Sequence, residues 1–129
     1  MRSADLYQVV VETSFTAAHR HDGTLHGHDF KVLITVAASS LVDDVVVDFH
    51  ALKHAADERL ATLSHTTLND HAALGGVGPV AIARWLHAEL VQALSAVPGA
   101  PDRRLATVEV WDTDRTAGRY AEAESAGAR

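Results

Sequence analysis

Three histidines in a strand-like setting constrain this chain more than any other feature: His26-Gly27-His28, with His19 seven residues upstream. Side chains alternate along a strand, so a His-x-His pair aims both imidazoles at one face. The run that follows, Phe30-Lys31-Val32-Leu33-Ile34-Thr35-Val36, is apolar and β-branched and reads as a strand. His19 closes a second such run, which begins at Val9-Val10-Val11 and passes through Phe15. Two strands meeting there bring three imidazoles to one point. Three protein nitrogens with an open fourth position are the donor set of a catalytic zinc site, whereas a structural site is usually closed by four ligands. His21 and Asp22 stand close enough in sequence to compete as ligands. Nine histidines in 129 residues also make chance neighbours easy. His50, His54, His71 and His87 fall in helical or loop contexts that suit surface or packing roles.

The rest of the composition narrows the class. With 47% hydrophobic residues the chain can bury the core of one compact domain, expected over residues 1–121, with a flexible tail over 122–129. A formal net charge of −6 and the absence of a Lys/Arg cluster argue against a nucleic-acid partner. No cysteine is present, which excludes disulfides, thiolate-bound zinc and thiol catalysis together. The first residues lack the apolar core of a signal peptide and no stretch is long enough to span a bilayer, so a cytoplasmic location and no membrane partner are expected.

Residues 6–18 and 29–38 read as strands joined by a His/Gly-rich connection, and residues 41–47 as a turn and a strand-like stub. Asp48 is a helix N-cap before an apolar stripe of Phe49, Leu52, Ala56, Leu60 and Leu63. A polar loop, 64–78, precedes a second helix that begins at Pro79 and buries Ile82, Trp85, Leu86, Leu90, Ala93 and Leu94 until Pro98-Gly99. A third strand spans 105–113 and a fourth ends near Tyr120. The order ββααββ predicts an α+β domain, an antiparallel sheet with two helices on one face. Its two open edges predict an oligomer.

Taken together, the segments resemble the 6-pyruvoyl-tetrahydropterin synthase / 6-carboxytetrahydropterin synthase family. The resemblance rests on Phe15-Thr16-Ala17-Ala18-His19-Arg20, Leu25-His26-Gly27-His28, residues 46–53, Leu63-Ser64-His65, Leu68-Asn69-Asp70 and Val108-Glu109-Val110-Trp111-Asp112-Thr113, in register over about residues 7–121. It implies the tunnelling fold (T-fold), in which subunits join their sheets into a barrel and rings stack, with a hexamer favoured. It also implies active sites at subunit interfaces, Zn²⁺ held by His19, His26 and His28, and a dihydroneopterin-like substrate whose side-chain oxygens the zinc polarises.

The departures from the family fall on the chemistry. The family's catalytic cysteine lies four residues before the first His of His-Gly-His, where this chain has Asp22. Some relatives place Glu there and cleave the side chain in an aldolase-like step, so Asp22 is a candidate catalytic base; a solvated loop residue or a partner of a zinc ligand is the alternative. The proton-transferring His65 follows Ser64 instead of the usual Asp, which removes the carboxylate that would orient it, and Asp70 is a candidate substitute. The pterin-anchoring Glu corresponds to Asp112, one methylene shorter; Glu109 faces the other side of the strand. Gly76-Val77-Gly78-Pro79-Val80 replaces the family's Pro-Thr-x-Glu segment, and Arg20 and Lys53 are the cations that a phosphate would find.

The resulting expectation is a zinc-dependent lyase of the 6-carboxytetrahydropterin synthase type, tilted towards retro-aldol cleavage. Its site comprises Asp22 and His65 as catalytic groups, Asp112 as substrate anchor, and His19, His26 and His28 as metal ligands. Two alternatives stay open: the same zinc scaffold turned to a non-pterin carbonyl or polyol substrate, or a catalytically silent binding protein.

Overall fold

The computed structural model describes residues 5–123, so all but the first two residues of the tail expected at 122–129 lie outside it. Strands β1 (Tyr7–His21) and β2 (Thr24–Ala38) form one long antiparallel hairpin, paired from Tyr7–Ala38 to His21–Thr24. The expected boundaries stop short of this. The strands run on through the histidines, and only Asp22-Gly23 turns. Both residues take left-handed φ angles, 52° and 76°. A type I′ hairpin turn requires that, and Asp-Gly is a favoured pair for it. Glycine and histidine read locally as a connection, but uninterrupted cross-strand pairing outweighs that weak preference.

Residues 41–47 keep the expected turn but not the expected strand-like stub. They form no strand, only isolated bridges, Val42–Val45 and Val47–Gly99. Between the first pair Asp43 and Asp44 reverse the chain with φ angles of 52° and 68°.

Helix α1 (Phe49–Leu60) starts where Asp48 caps it, one carboxylate oxygen accepting the N–H groups of His50 and Ala51 at 3.0 and 3.1 Å. Its buried stripe is Leu52, Ala55, Ala56 and Leu60; Phe49, expected inside, is 49% exposed, and Leu63 is buried just beyond the helix. The loop at 64–78 contains two 3-10 turns, Leu68–Asp70 and Ala72–Leu74, pinned by buried Leu68 and Leu74. Helix α2 (Pro79–Leu94) buries Ile82, Leu86, Leu90 and Leu94 as expected, adds Ala83 and His87, and leaves Trp85 and Ala93 only partly covered. Among the described residues no helix is long and apolar enough to cross a membrane.

Strands β3 (Arg104–Trp111) and β4 (Ala117–Tyr120) complete a four-stranded antiparallel sheet in the order β1-β2-β3-β4. Alternation decides what the sheet buries. Val11, Phe15 and Ala17 of β1, Phe30, Val32, Ile34 and Val36 of β2, and Leu105, Val108 and Val110 of β3 pack with both helices into one core. Phe15 and Phe30 stack in it, ring centroids 4.9 Å apart. Continuing the same face towards the turn end of the hairpin leads to the histidines.

Candidate metal and substrate site

His19 pairs directly with His26 across the hairpin, and His28 pairs with Ala17, so the register puts all three imidazoles on the core-side face beyond Phe15 and Phe30. A slip of one residue would turn each strand's histidines to the opposite face. Ring centroids lie 4.9 Å apart for His19 and His28, 6.1 Å for His19 and His26, and 6.2 Å for His26 and His28. Phe30 forms an apolar floor, 5.4 Å from the His28 ring. His19 is buried, His28 half-buried and His26 exposed.

The ring nitrogens carry the chemistry. His19 Nδ1 lies 2.8 Å from the carbonyl oxygen of Val77. Only an N–H can donate there, so Nδ1 holds the proton and Nε2 turns its lone pair to the cavity. His28 Nε2 stands 3.1 Å from that Nε2. Two nitrogens on a tetrahedral zinc, with Zn–N of about 2.0–2.1 Å, would be about 3.3 Å apart. The backbone carbonyl behind His19 is the outer partner that metal-bound histidines commonly use. This donor pair fits a zinc ion. The third imidazole stands wider, and among the described residues no three His, Asp or Glu side chains close tightly around one point in this conformation. His26 is exposed and has room to rotate inward.

A cavity of about 510 Å³ opens in front of these rings, lined by His19, His21, His26, His28, Val77, Gly78, Pro79 and Asp112. Asp112, just past the end of β3, is half-buried, and its Oδ1 accepts the Thr116 hydroxyl at 2.5 Å. The expected anchor and the expected ligands therefore share one cavity. Its carboxylate keeps one oxygen clear of that hydrogen bond.

The other two expected site residues stand elsewhere. Asp22 occupies the hairpin turn with its side chain 90% exposed, one carboxylate oxygen 3.5 Å from Nε2 of His21. His65 lines a different cavity of about 480 Å³ with Thr13, Ser14, Phe15, Lys53, Asp57, Leu60, Ala61 and Ser64. Its backbone is left-handed (φ 60°), and its N–H donates to the Thr16 carbonyl at 2.6 Å. No hydrogen bond joins its imidazole to Asp70, which closes a 3-10 turn instead. Lys53 pairs with Asp57 at 2.7 Å beside His65, and Arg20 projects from the opposite face of β1 to His19.

One contributor carries no sequence signal, and a second shows only as part of the Leu68-Asn69-Asp70 segment of the resemblance. Val77 acts through its backbone carbonyl, which no side-chain pattern reveals. Asn69 binds the backbone of Arg20 at both its N–H (2.7 Å) and its carbonyl (3.2 Å), extending the β1 ladder beside His19. The Asp-Gly pair at 22–23 was the legible sign that the hairpin continues through the histidines.

The sequence model of the 6-pyruvoyl tetrahydropterin synthase family matches residues 8–123. The chain belongs to this family. It is 36% identical over 127 residues to the 6-carboxy-5,6,7,8-tetrahydropterin synthase of a Synechocystis species, covering 89% of this chain and 93% of that protein. Its fold is similar to that of Caenorhabditis elegans 6-pyruvoyl tetrahydropterin synthase, with a TM-score of 0.75 at 19% identity over 95% of this chain and all of that one. It is also similar to Plasmodium vivax 6-pyruvoyltetrahydropterin synthase (TM-score 0.66, 19% identity, 92% and 98% coverage), which was solved in addition with a catalytic glutamate replaced. The α+β sheet with its two helices is thus the T-fold that the sequence resemblance implied. This member of the family has no cysteine at all.

Proposed function

We propose that the chain is a zinc-dependent lyase of the 6-carboxytetrahydropterin synthase type, acting in the cytoplasm on the side chain of a dihydroneopterin-like substrate by retro-aldol cleavage. The observation that carries this reading is the His19–His28 nitrogen pair, backed by Val77 and sharing a cavity with Asp112. His19, His26 and His28 would hold the zinc, which when bound supplies a Lewis acid that polarises the side-chain oxygens.

The chain's own residues divide the remaining work. Asp112 accepts hydrogen bonds from adjacent N–H donors of the heterocycle, a charge-assisted contact that orients the ring. Asp22 takes the proton of a side-chain hydroxyl. As that carbon becomes a carbonyl, its bond to the neighbouring carbon breaks and the electron pair passes into the ring imine. His65 returns a proton to the carbon left behind. A carboxylate base in this family has a parallel in the catalytic glutamate of the Plasmodium vivax protein.

Because His65 and the three histidines line separate cavities in one chain, the complete site lies between chains of a homo-oligomer, with a hexamer favoured, and His65 of the partner subunit faces the His19 cavity. The sheet edge along residues 7–15 of β1 suits that role, since the loop at 65–69 covers the edge only from Thr16 onward. A second reading, a non-pterin polyol substrate on the same scaffold, is favoured by the shortened and Thr116-engaged Asp112.

The test incubates zinc-loaded protein separately with 7,8-dihydroneopterin and its triphosphate and reads products by mass spectrometry. A 6-hydroxymethyl product establishes the retro-aldol lyase, and a 6-carboxy or 6-pyruvoyl product establishes another branch of pterin chemistry. Absence of turnover by protein holding one zinc per chain refutes the pterin reading in favour of the second.

A further inference from the structure

One histidine of the cavity has no part in the reaction described above. His21 lies two residues beyond His19 on β1, so it shares the face of His19, His26 and His28. It lines the same cavity. Its ring centroid is 6.2 Å from that of His19, and the two planes are inclined by only 23°. His26 stands 6.1 Å from His19. Measured from His19 the two stand equally near, and what sets His26 apart is its second ring neighbour, His28, at 6.2 Å.

The backbone explains why His21 stays there. Its pairing with Thr24 is the last rung before the two-residue turn, and so short a turn leaves no slack to carry the residue away from the cavity. The side chain itself is 65% exposed, so rotating it towards the ring cluster displaces no packed neighbour. Diagonal neighbours across a hairpin, the relation of His21 to His26, stand within reach of long side chains.

We propose that His21 is a fourth imidazole donor to the ion held by His19, His26 and His28, so that the resting centre carries four nitrogens instead of three. The inference rests on the zinc site of the proposed function and deepens it. Four protein donors close the tetrahedron at rest, whereas three leave one position vacant, so His21 is the donor that must give way for a side-chain oxygen of the substrate to reach the ion. The chain would then hold its ion more tightly than a three-histidine site does.

Cobalt(II) serves as the probe, because its visible spectrum reports the number and kind of its donors. Apo protein is titrated with cobalt(II), and affinity is read by competition with a chelator, for wild type and for His21→Ala, His21→Gln, His26→Ala, His19→Ala and His28→Ala. The expected result is that both His21 variants still bind one cobalt per chain, with an altered visible spectrum and affinity lower by at least about tenfold, the smallest loss usual even for an outer partner of a metal ligand. Spectra and affinities equal to wild type in both His21 variants overturn the proposal while leaving a three-histidine site intact. Full cobalt binding by His19→Ala and His28→Ala instead overturns the metal site itself, and that outcome is read on chains in which His21 is untouched. Because His21 is exposed, neither of its substitutions removes a core contact, and circular dichroism verifies the fold of each variant.

Discussion

Asn69 holds Arg20 by both ends of its side-chain amide, accepting the Arg20 N–H at 2.7 Å and donating to the Arg20 carbonyl at 3.2 Å across 49 positions of sequence. A side chain thereby continues the hydrogen-bond ladder that the backbone of the same loop begins, His65 N–H to Thr16 and Ala18 N–H to Thr66. The edge of β1 nearest His19 is closed within the chain itself.

Replacing Asn69 by Ala therefore loosens the strand that carries His19. Two hydrogen bonds at about 0.5–1.5 kcal/mol each predict a loss of about 1–3 kcal/mol in denaturant unfolding. Hydrogen exchange at Arg20 accelerates in parallel. An unchanged exchange rate would show that the amide contributes nothing to this edge.

Gly118 of β4 lies against the start of α2, where an added Cβ would come within 2.5 Å of the Val80 nitrogen and 2.7 Å of its Cγ2. Gly118→Ala must push the helix start off the sheet, at about 1–3 kcal/mol for overpacking. Val77, Gly78 and Pro79 form the adjoining wall of the histidine cavity. The melting temperature and the zinc affinity should fall together; a drop in only one of them separates the wall from the site.

Asp112→Asn retains an acceptor for Thr116 but loses the charge that the heterocycle's N–H groups would meet. Hydrogen bonds to a charged group contribute about 1.5–3 kcal/mol, so pterin affinity should fall by about ten- to a hundredfold at unchanged zinc content. Equal pterin affinity in calorimetry would remove Asp112 from the anchor role.

Glu109 lies on the sheet face away from the helices, where Arg119 Nε donates to it at 2.9 Å and Trp111 Nε1 at 2.7 Å. The Arg119 guanidinium holds its carboxyl below the usual range, against the opposing push of burial. A depressed folded value contributes stability that is present above the unfolded value, about 4.3, and is lost as pH falls through the lower folded one. Glu109→Gln should thus be less stable by about 1 kcal/mol at pH 7, the pair being partly exposed. The two proteins should converge as the pH falls below about 4. Parallel stability curves down to acid pH would show that Glu109 is not the titrating group.

Much of this architecture was legible because it depends on local patterning. The Asp48 cap, the Leu52–Ala56–Leu60 stripe and the Pro79 start of α2 follow from spacing and propensity within a few residues. Phe49 was misassigned because helical spacing says which residues share a face, not how far the neighbouring sheet extends to cover them; at 49% exposure it lies beyond that cover. The turn expected within 41–47 is present at Asp43-Asp44, but the strand-like stub is not, because both residues adopt left-handed backbone and leave only isolated bridges.

At the site the division is sharper. Period-two alternation in the sequence is sufficient to put His19 on one strand face and His26 and His28 together on another, but the Asp22-Gly23 pair that joins them reads there only as part of a His/Gly-rich connection. Which nitrogen of His19 carries the proton was beyond its reach, because the deciding carbonyl belongs to Val77, 58 residues away. So was the separation of His65 from the other histidines. Alternation and turn chemistry act between near neighbours and can be read along the chain. Hydrogen-bond partners and shared cavities arise only when the helices and the loop at 64–78 pack onto the sheet, and tertiary structure alone decides them.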